Sequence, residues 1–246
     1  KFFCTMKYFE YKNCGCKFAL DENENIIFDP QISSINLDCS ATWDLISSGN
    51  TKGCFQLESR LGRSMAKKLK PDSIEQLSAL ISIMRPGCLE AVRDGKTVSN
   101  HYIDKKNGLE SIDYFHPALE PILKNTFGEM VYQCWDNTCV PYFCQEQAMQ
   151  IAKELAGFDL QEADMLRKAI GKKKAGEMSK LKDKFIKGCK KLDIISAEQA
   201  EQIFSWIEKS QRYSFNKSHA VSYAMNAYLS AYSKAHFTRT FFASYL

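Results

Sequence analysis

The sequence predicts a mainly α protein, a multi-helix domain with a small β-containing part at its N-terminus. Three observations predict it. From residue 41 onward, apolar residues recur three and four positions apart in one segment after another, the pattern of amphipathic helices. Several of these segments open on Ser or Asp with Glu or Gln three residues later, or stop at Gly or Pro. Residues 1–40 instead carry short aromatic and β-branched runs divided by polar turns.

Taken in order, Tyr8–Tyr11, Lys17–Leu20 and Ile26–Phe28 read as strands, the last two separated by the polar turn Asp21–Asn25. Thr42–Ile46 is a short helix stopped by Gly49-Asn50, and Thr51–Glu58 alternates as a strand does. Ser59 caps a helix that runs through Leu69 before Pro71. Ser73 and Gln76 form a capping box for a helix with Ile74, Leu77, Leu80, Ile81 and Met84 inward, terminated by Arg85-Pro86-Gly87. Pro117 opens a helix through about Asn125, and Glu129–Tyr132 is briefly extended. Ala148, Ile151, Ala152 and Leu155 mark another helix, ended by Gly157. Asp159 and Glu162 cap the next, with Ala163, Leu166 and Ile170 on its apolar face and Gly171 closing it. A helix with a Met178, Leu181, Phe185 and Cys189 stripe follows. Ser196 and Gln199 cap one that faces Ala200, Ile203, Phe204 and Ile207 inward, and Ser218 begins a long helix through Ala235.

The 246 residues, 45% of them hydrophobic, suffice for one large domain or two small ones. No apolar run is long enough to span a bilayer, and no signal peptide is visible, so no membrane association is expected. The sequence begins at Lys1 rather than a methionine and ends within an apolar helical pattern, so a longer polypeptide is expected. Ten scattered cysteines do not form a compact disulfide framework and suit reduced thiols in a cytoplasm. Cys14 and Cys16, with Cys4 and Cys39, admit a four-thiolate zinc site. Structural zinc prefers two thiol pairs at wider spacing, so free thiols are the default reading and no residue is assigned to a metal.

Charge narrows the function. Arg167 to Lys191 holds eleven basic residues against two acidic ones, a local +9 in a chain of formal charge +4. Such a surface either stays solvated or draws polyanions with steep salt dependence. The apolar stripe of the second helix makes it a folded surface rather than a loose tail. No phosphate-cradling glycine loop and no Gly-x-Ser-x-Gly elbow is present, and the four histidines lack the spacing of a metal-binding helix. No Asp-x-Asp pair exists, so the carboxylates that two-metal phosphoryl transfer needs are missing. The polar cluster Tyr213–His219 admits an anion site built from Asn216, Lys217, Ser218 and His219, or ordinary capping by Ser218.

Five motifs in order carry a resemblance: Phe55-Gln-Leu-Glu-Ser59, Arg85-Pro-Gly87, His116-Pro-Ala-Leu-Glu-Pro-Ile-Leu123, Glu162–Lys173 and Phe215-Asn-Lys-Ser-His-Ala220. Over about residues 39–246 the chain resembles the fingers region of the C-family bacterial replicative polymerases, the alpha subunits of DNA polymerase III, phage versions included. The resemblance implies a fingers-type helical domain over 41–246; residues 1–40, where little resemblance is visible, read as a β-rich, cysteine-containing segment that is palm-edge or aberrant. It implies DNA-templated DNA synthesis in the cytoplasm of a bacterium or phage-infected host. Its implied partners are primer–template DNA, deoxynucleoside triphosphates, the rest of the polymerase chain and a sliding clamp. Two magnesium ions would be held by palm aspartates outside this chain, which itself supplies no catalytic residue. Arg167, Lys168, Lys172 and Lys173 would contact the triphosphate, with Asn216, Lys217, Ser218 and His219 completing the pocket. Lys180, Lys184 and Lys187 would face the DNA backbone.

Two departures stand against the family pattern. Relatives carry Arg where this chain has Lys168, which keeps the charge but loses the planar fork. Relatives also run Tyr-Gln-Glu-Gln continuously, whereas here residues 134–145 separate Tyr132-Gln133 from Glu146-Gln147. That insertion reads as a surface loop, an intein remnant or a misjoined frame. The alternative function is a catalytically silent nucleic-acid-binding module.

Overall fold

The computed structural model describes residues 7–29, 31–132, 147–172, 175–210 and 216–245. Within them the chain is mainly α, with only small antiparallel sheets of two and three strands. Two compact units divide it: residues 1–80 together with 221–246, and residues 81–220.

In the first unit, β1 (Tyr8–Glu10), β2 (Lys17–Leu20) and β3 (Ile26–Ile27) form an antiparallel meander with Phe9 opposite Phe18 and Ala19 opposite Ile27. The β2–β3 turn forms because the Asp21 carboxylate accepts the amides of Asn23 and Asn25, both at 2.8 Å. The Asn25 side-chain amide, which donates to the same carboxylate at 3.1 Å, and then these backbone bonds hold its pKa below the ordinary carboxylate value. Sheets this short bury little, and Phe18 supplies the anchor. It packs on Phe28, Tyr232, His236 and Phe237. Two helices follow, α1 (Ser40–Ser47) and α2 (Arg60–Leu69), the latter capped as expected by the Ser59 hydroxyl accepting the Gly62 amide at 3.0 Å.

Residues 51–58, expected as a strand, are consecutive turns. Thr51, Cys54 and Leu57 are all fully buried, a spacing of three rather than two. Gly53 and Gln56 have positive φ, and the Thr51 hydroxyl donates to the Leu57 carbonyl at 2.7 Å. The apparent alternation rested on Phe55 and Leu57 with Gln56 and Glu58 between and after them, but Phe55 is exposed.

The remaining elements are α3 (Ile74–Ile83), α4 (Pro86–Glu90), β4 (Val92–Arg93), β5 (Lys96–Thr97), α5 (Val98–Lys106) and α6 (Glu120–Leu123). They continue with α7 (Gln147–Ala156), α8 (Leu160–Lys172), α9 (Ala175–Leu192), α10 (Ala197–Ser210), α11 (Lys217–His236) and α12 (Thr238–Tyr245). Ser73 caps α3 through the Gln76 amide at 3.4 Å, whereas the Gln76 side chain accepts from Asp72 rather than from Ser73. Pro86 starts α4 instead of only ending α3. The β4–β5 hairpin turns on Asp94-Gly95, both at positive φ, the geometry of a two-residue type I′ turn. The single helix expected from Pro117 is broken into short pieces, because Pro121 lacks the amide that continuous helix requires. Residues 129–131 are irregular, and only Tyr132 makes a bridge.

The core of the second unit lies among α7, α8, α9 and α10. Phe185 of α9 meets Phe158 and Phe204 there, with Ala163, Leu166, Ile203 and Ile207 fully or almost fully buried around them. α9 approaches α7 closely at Gly188, where a Cβ would collide with the Ala156 carbonyl. The Ser196–Gln199 box is reciprocal, at 3.0 and 3.2 Å. No helix is long and apolar enough to cross a membrane among the described residues.

Candidate functional site

The candidate site is built on α8. Its start is fixed by a reciprocal box: the Asp159 carboxylate accepts the Glu162 amide at 2.8 Å, and Glu162 accepts the Asp159 amide at 3.2 Å. Ala163, Leu166 and Ala169 are fully buried and lock one face of the helix into the core. Positions 164, 168 and 172 therefore share another face, four residues apart. Gly171 does not close the helix, whose backbone stays helical through Lys172.

Of the residues expected to contact a triphosphate, Lys168 is exposed and ion-paired to Asp164 at 2.7 Å. Arg167 and Lys172 stand on α8, but their side chains, and the whole of Lys173, lie outside the described residues. Lys180, Lys184 and Lys187 fall four and three apart on the exposed side of α9. Lys184 ends on the Glu162 carboxylate and lies 5.7 Å from the Phe158 ring centre. Part of the basic surface read from sequence is therefore answered by carboxylates of α8. The run is less bare than its count suggests.

The second motif sits at the start of α11. Asn216, not Ser218, is the cap: its side-chain oxygen accepts the His219 amide at 3.0 Å. Ser218 lies inside the first turn of the helix. Lys217 places its ammonium 5.6 Å from the Tyr132 ring centre, a cation–π contact that joins this motif to a residue two positions before the inserted stretch. His219 is exposed.

Around Tyr132 lie contacts that the sequence did not register. The Val131 amide donates to the Gln147 side-chain oxygen at 3.2 Å, so the two ends of the stretch between 133 and 146 meet. The Gln147 amide group donates in turn to the Thr126 hydroxyl at 2.6 Å and the Glu129 carbonyl at 3.4 Å. Glu129 is wholly buried and pairs one carboxylate oxygen with Arg93 at 2.5 Å and with the buried Lys105 at 2.9 Å. Beside it, burial and then the Glu129 charge push the Cys88 thiol up to about 12. His101 grips Glu110 at 2.8 Å with one ring nitrogen and lies 2.8 Å from the Arg93 carbonyl with the other. Burial raises the Glu110 pKa, but His101 and Lys96 outweigh it and hold the carboxyl below its ordinary value.

A magnesium pair needs clustered oxygen ligands. Among the described residues, the group with a metal-ligand arrangement is instead Cys14, Cys16, Cys39 and His236, too soft a donor set for magnesium. The described residues thus do not fit the two ions.

Residues 16–193 match the model of the bacterial DNA polymerase III alpha subunit finger domain. The chain is 42% identical over 215 residues to DNA polymerase III subunit alpha of Aquifex aeolicus. It is 41% identical over 220 residues to that of Pseudomonas aeruginosa and 39% over 218 to that of Escherichia coli. Each alignment covers 87% of this chain and 17% of the relative, so the chain spans about a sixth of the length of the curated proteins it matches.

Proposed function

The chain belongs to the bacterial DNA polymerase III alpha subunit finger-domain family, and on that premise we propose that it grips the triphosphate of an incoming deoxynucleotide during DNA-templated DNA synthesis. One observation carries the reading: α8 is boxed at its start and buried along one face, so its backbone holds the basic positions 167, 168 and 172 in helical register. A triphosphate rewards such preorganisation, because the backbone that carries its counter-charges is fixed before it arrives. Arg167 supplies the planar fork, and Lys168, Lys172 and Lys173 supply point charges. Lys168 exchanges Asp164 for phosphate. Lys217 and His219 complete the pocket with Ser218, while Asn216 keeps their turn in shape. Lys180, Lys184 and Lys187 meet the DNA backbone. The magnesium ions of the reaction belong to palm residues of the longer polypeptide, together with primer–template DNA and a sliding clamp, in the cytoplasm of a bacterium or phage-infected host.

The test is nucleotide affinity of the chain with magnesium present, compared with Arg167→Ala. Loss of a charge-assisted contact predicts roughly ten- to a hundredfold weaker nucleotide binding. Should Arg167→Ala weaken only DNA binding, the triphosphate assignment is wrong, and a silent nucleic-acid-binding module is left.

A further inference from the structure

Four soft donors converge in the first unit on residues that the polymerase reading does not use. We propose that Cys14, Cys16, Cys39 and His236 form a tetrahedral structural zinc site. The ligand atoms of all four lie within 4.8 Å of one another, and the Cys39 sulfur is 3.3 Å from Nε2 of His236. Tetrahedral zinc with ligands at about 2.3 Å sets sulfurs about 3.8 Å apart, so closure needs movements of no more than about 1 Å.

Each donor is positioned by the structure around it. Tyr11 to Cys16 is a tight turn in which the Cys14 and Gly15 amides donate to the Tyr11 carbonyl. Gly15 takes φ +68°, which lets the chain present two thiols one residue apart. Cys39 immediately precedes α1, where helix amides favour a thiolate, and its own amide donates to the Tyr228 hydroxyl at 3.2 Å. His236 ends α11. Its ring is fixed by Tyr11 and Tyr232 at 4.6 and 4.4 Å and by Phe18 at 5.3 Å, and its carbonyl accepts the Tyr11 hydroxyl at 2.6 Å. Nδ1 of that ring is buried without a hydrogen-bond partner, so the contact of Nε2 with the Cys39 thiol sets its polar orientation.

The surroundings suit a metal. Cys16, Cys39 and His236 are buried and Cys14 is partly exposed, a dry cage with one open side for entry. The Asn36 side-chain amide lies 3.7 Å from the Cys16 sulfur, the outer-shell donor that a metal thiolate uses. All the sulfurs are free rather than bridged. On binding, three thiols release three protons to solvent and the neutral imidazole keeps its own. Three thiolates and one imidazole with zinc then carry a net charge of −1. The fold has a use for the metal: a meander of strands no longer than four residues cannot stand alone, and zinc would tie its turn to α1 and to the end of α11. The four-thiolate set expected from sequence changes accordingly. Cys4 lies outside the described residues, and the fourth ligand is a histidine 197 positions from Cys39.

The test is elemental analysis of the full chain, made without added histidines and purified under reducing conditions. One zinc per chain is expected, and cobalt substitution should give thiolate-to-metal charge transfer with intense tetrahedral bands. Cys14→Ser, whose site is partly exposed and therefore tolerant, should lower zinc affinity at least tenfold. Cys54→Ala, buried in the same unit but outside the cluster, should leave the stoichiometry unchanged. Zinc far below stoichiometry after zinc reconstitution, or full retention in both Cys14→Ser and His236→Gln, overturns the site.

Discussion

Glu129→Gln tests whether the buried ionic cluster holds up the segment that ends in Tyr132. Glu129 is inaccessible to solvent, and its Oε1 takes both Arg93 at 2.5 Å and Lys105 at 2.9 Å. Its Oε2 is buried with no hydrogen-bond partner, so the carboxylate depends on these two cations. Arg93 is about one-third exposed and can turn to water, but the Lys105 side chain is only 5% exposed and cannot. Neutralising Glu129 therefore strands a buried ammonium. Breaking a buried pair in this way costs about 3–5 kcal/mol, and the retained Gln oxygen places this case near 3. In a chain of this size, 3 kcal/mol lowers the melting temperature by roughly 6–12 °C.

Thermal or urea unfolding followed by circular dichroism reads the loss, and a double-mutant cycle separates cause from accident. Lys105→Met alone should cost a comparable amount, and the double variant should cost at least about 1 kcal/mol less than the two together. A loss under about 1 kcal/mol for Glu129→Gln, or strict additivity, refutes the reasoning.

Gly188→Ala should cost about 1–3 kcal/mol in the same assay, because the new methyl meets the Ala156 backbone carbonyl rather than a side chain that could move. Cys88 titrates near 12 in the fold against about 9 unfolded, so folding favours its thiol form. That contribution is complete below about pH 9 and is lost as pH rises toward 12; Cys88→Ala should flatten the alkaline limb of a stability–pH curve. Deleting residues 134–145 should change stability by no more than about 1 kcal/mol, since loop length enters only logarithmically. Collapse of the fold in the shortened chain would show that the stretch packs as core.

What the sequence disclosed follows interaction range. The boxes at Asp159–Glu162 and Ser196–Gln199 and the cap at Ser59 were legible because partner and cap lie three residues apart, and a cap needs little beyond its own turn. Asp94-Gly95 was equally local and carried the strongest short hairpin signal, yet it passed unread beside single-turn helices. Residues 51–58 failed for another reason: over so short a stretch Phe55 and Leu57 mimic alternation, and only tertiary burial leaves Phe55 outside with Thr51, Cys54 and Leu57 inside. Asn216 and Ser218 are both good caps two positions apart, and only the helix start chooses between them. Glu129 with Lys105, and Cys39 with His236, are pairings across 24 and 197 residues that no window can register.

These distant pairings bear on how the candidate pocket is supported. Gln147 is almost fully buried and bonded to Val131, Thr126 and Glu129, so both flanks of the inserted stretch are fixed by groups outside it. Tyr132, the last described residue before the stretch, offers its ring to Lys217. Lys217 stands one residue beyond the Asn216 cap, so the orientation of the α11 motif is tied to this buried network as well as to its own turn. A hydrogen-bonded polar network specifies position more strictly than apolar packing of equal area, because a slipped register leaves donors buried and unpaired. The charge-bearing residues at 217–219 thus gain their precision from uncharged and ion-paired groups, Gln147, Thr126 and Glu129, none of which could touch a nucleotide.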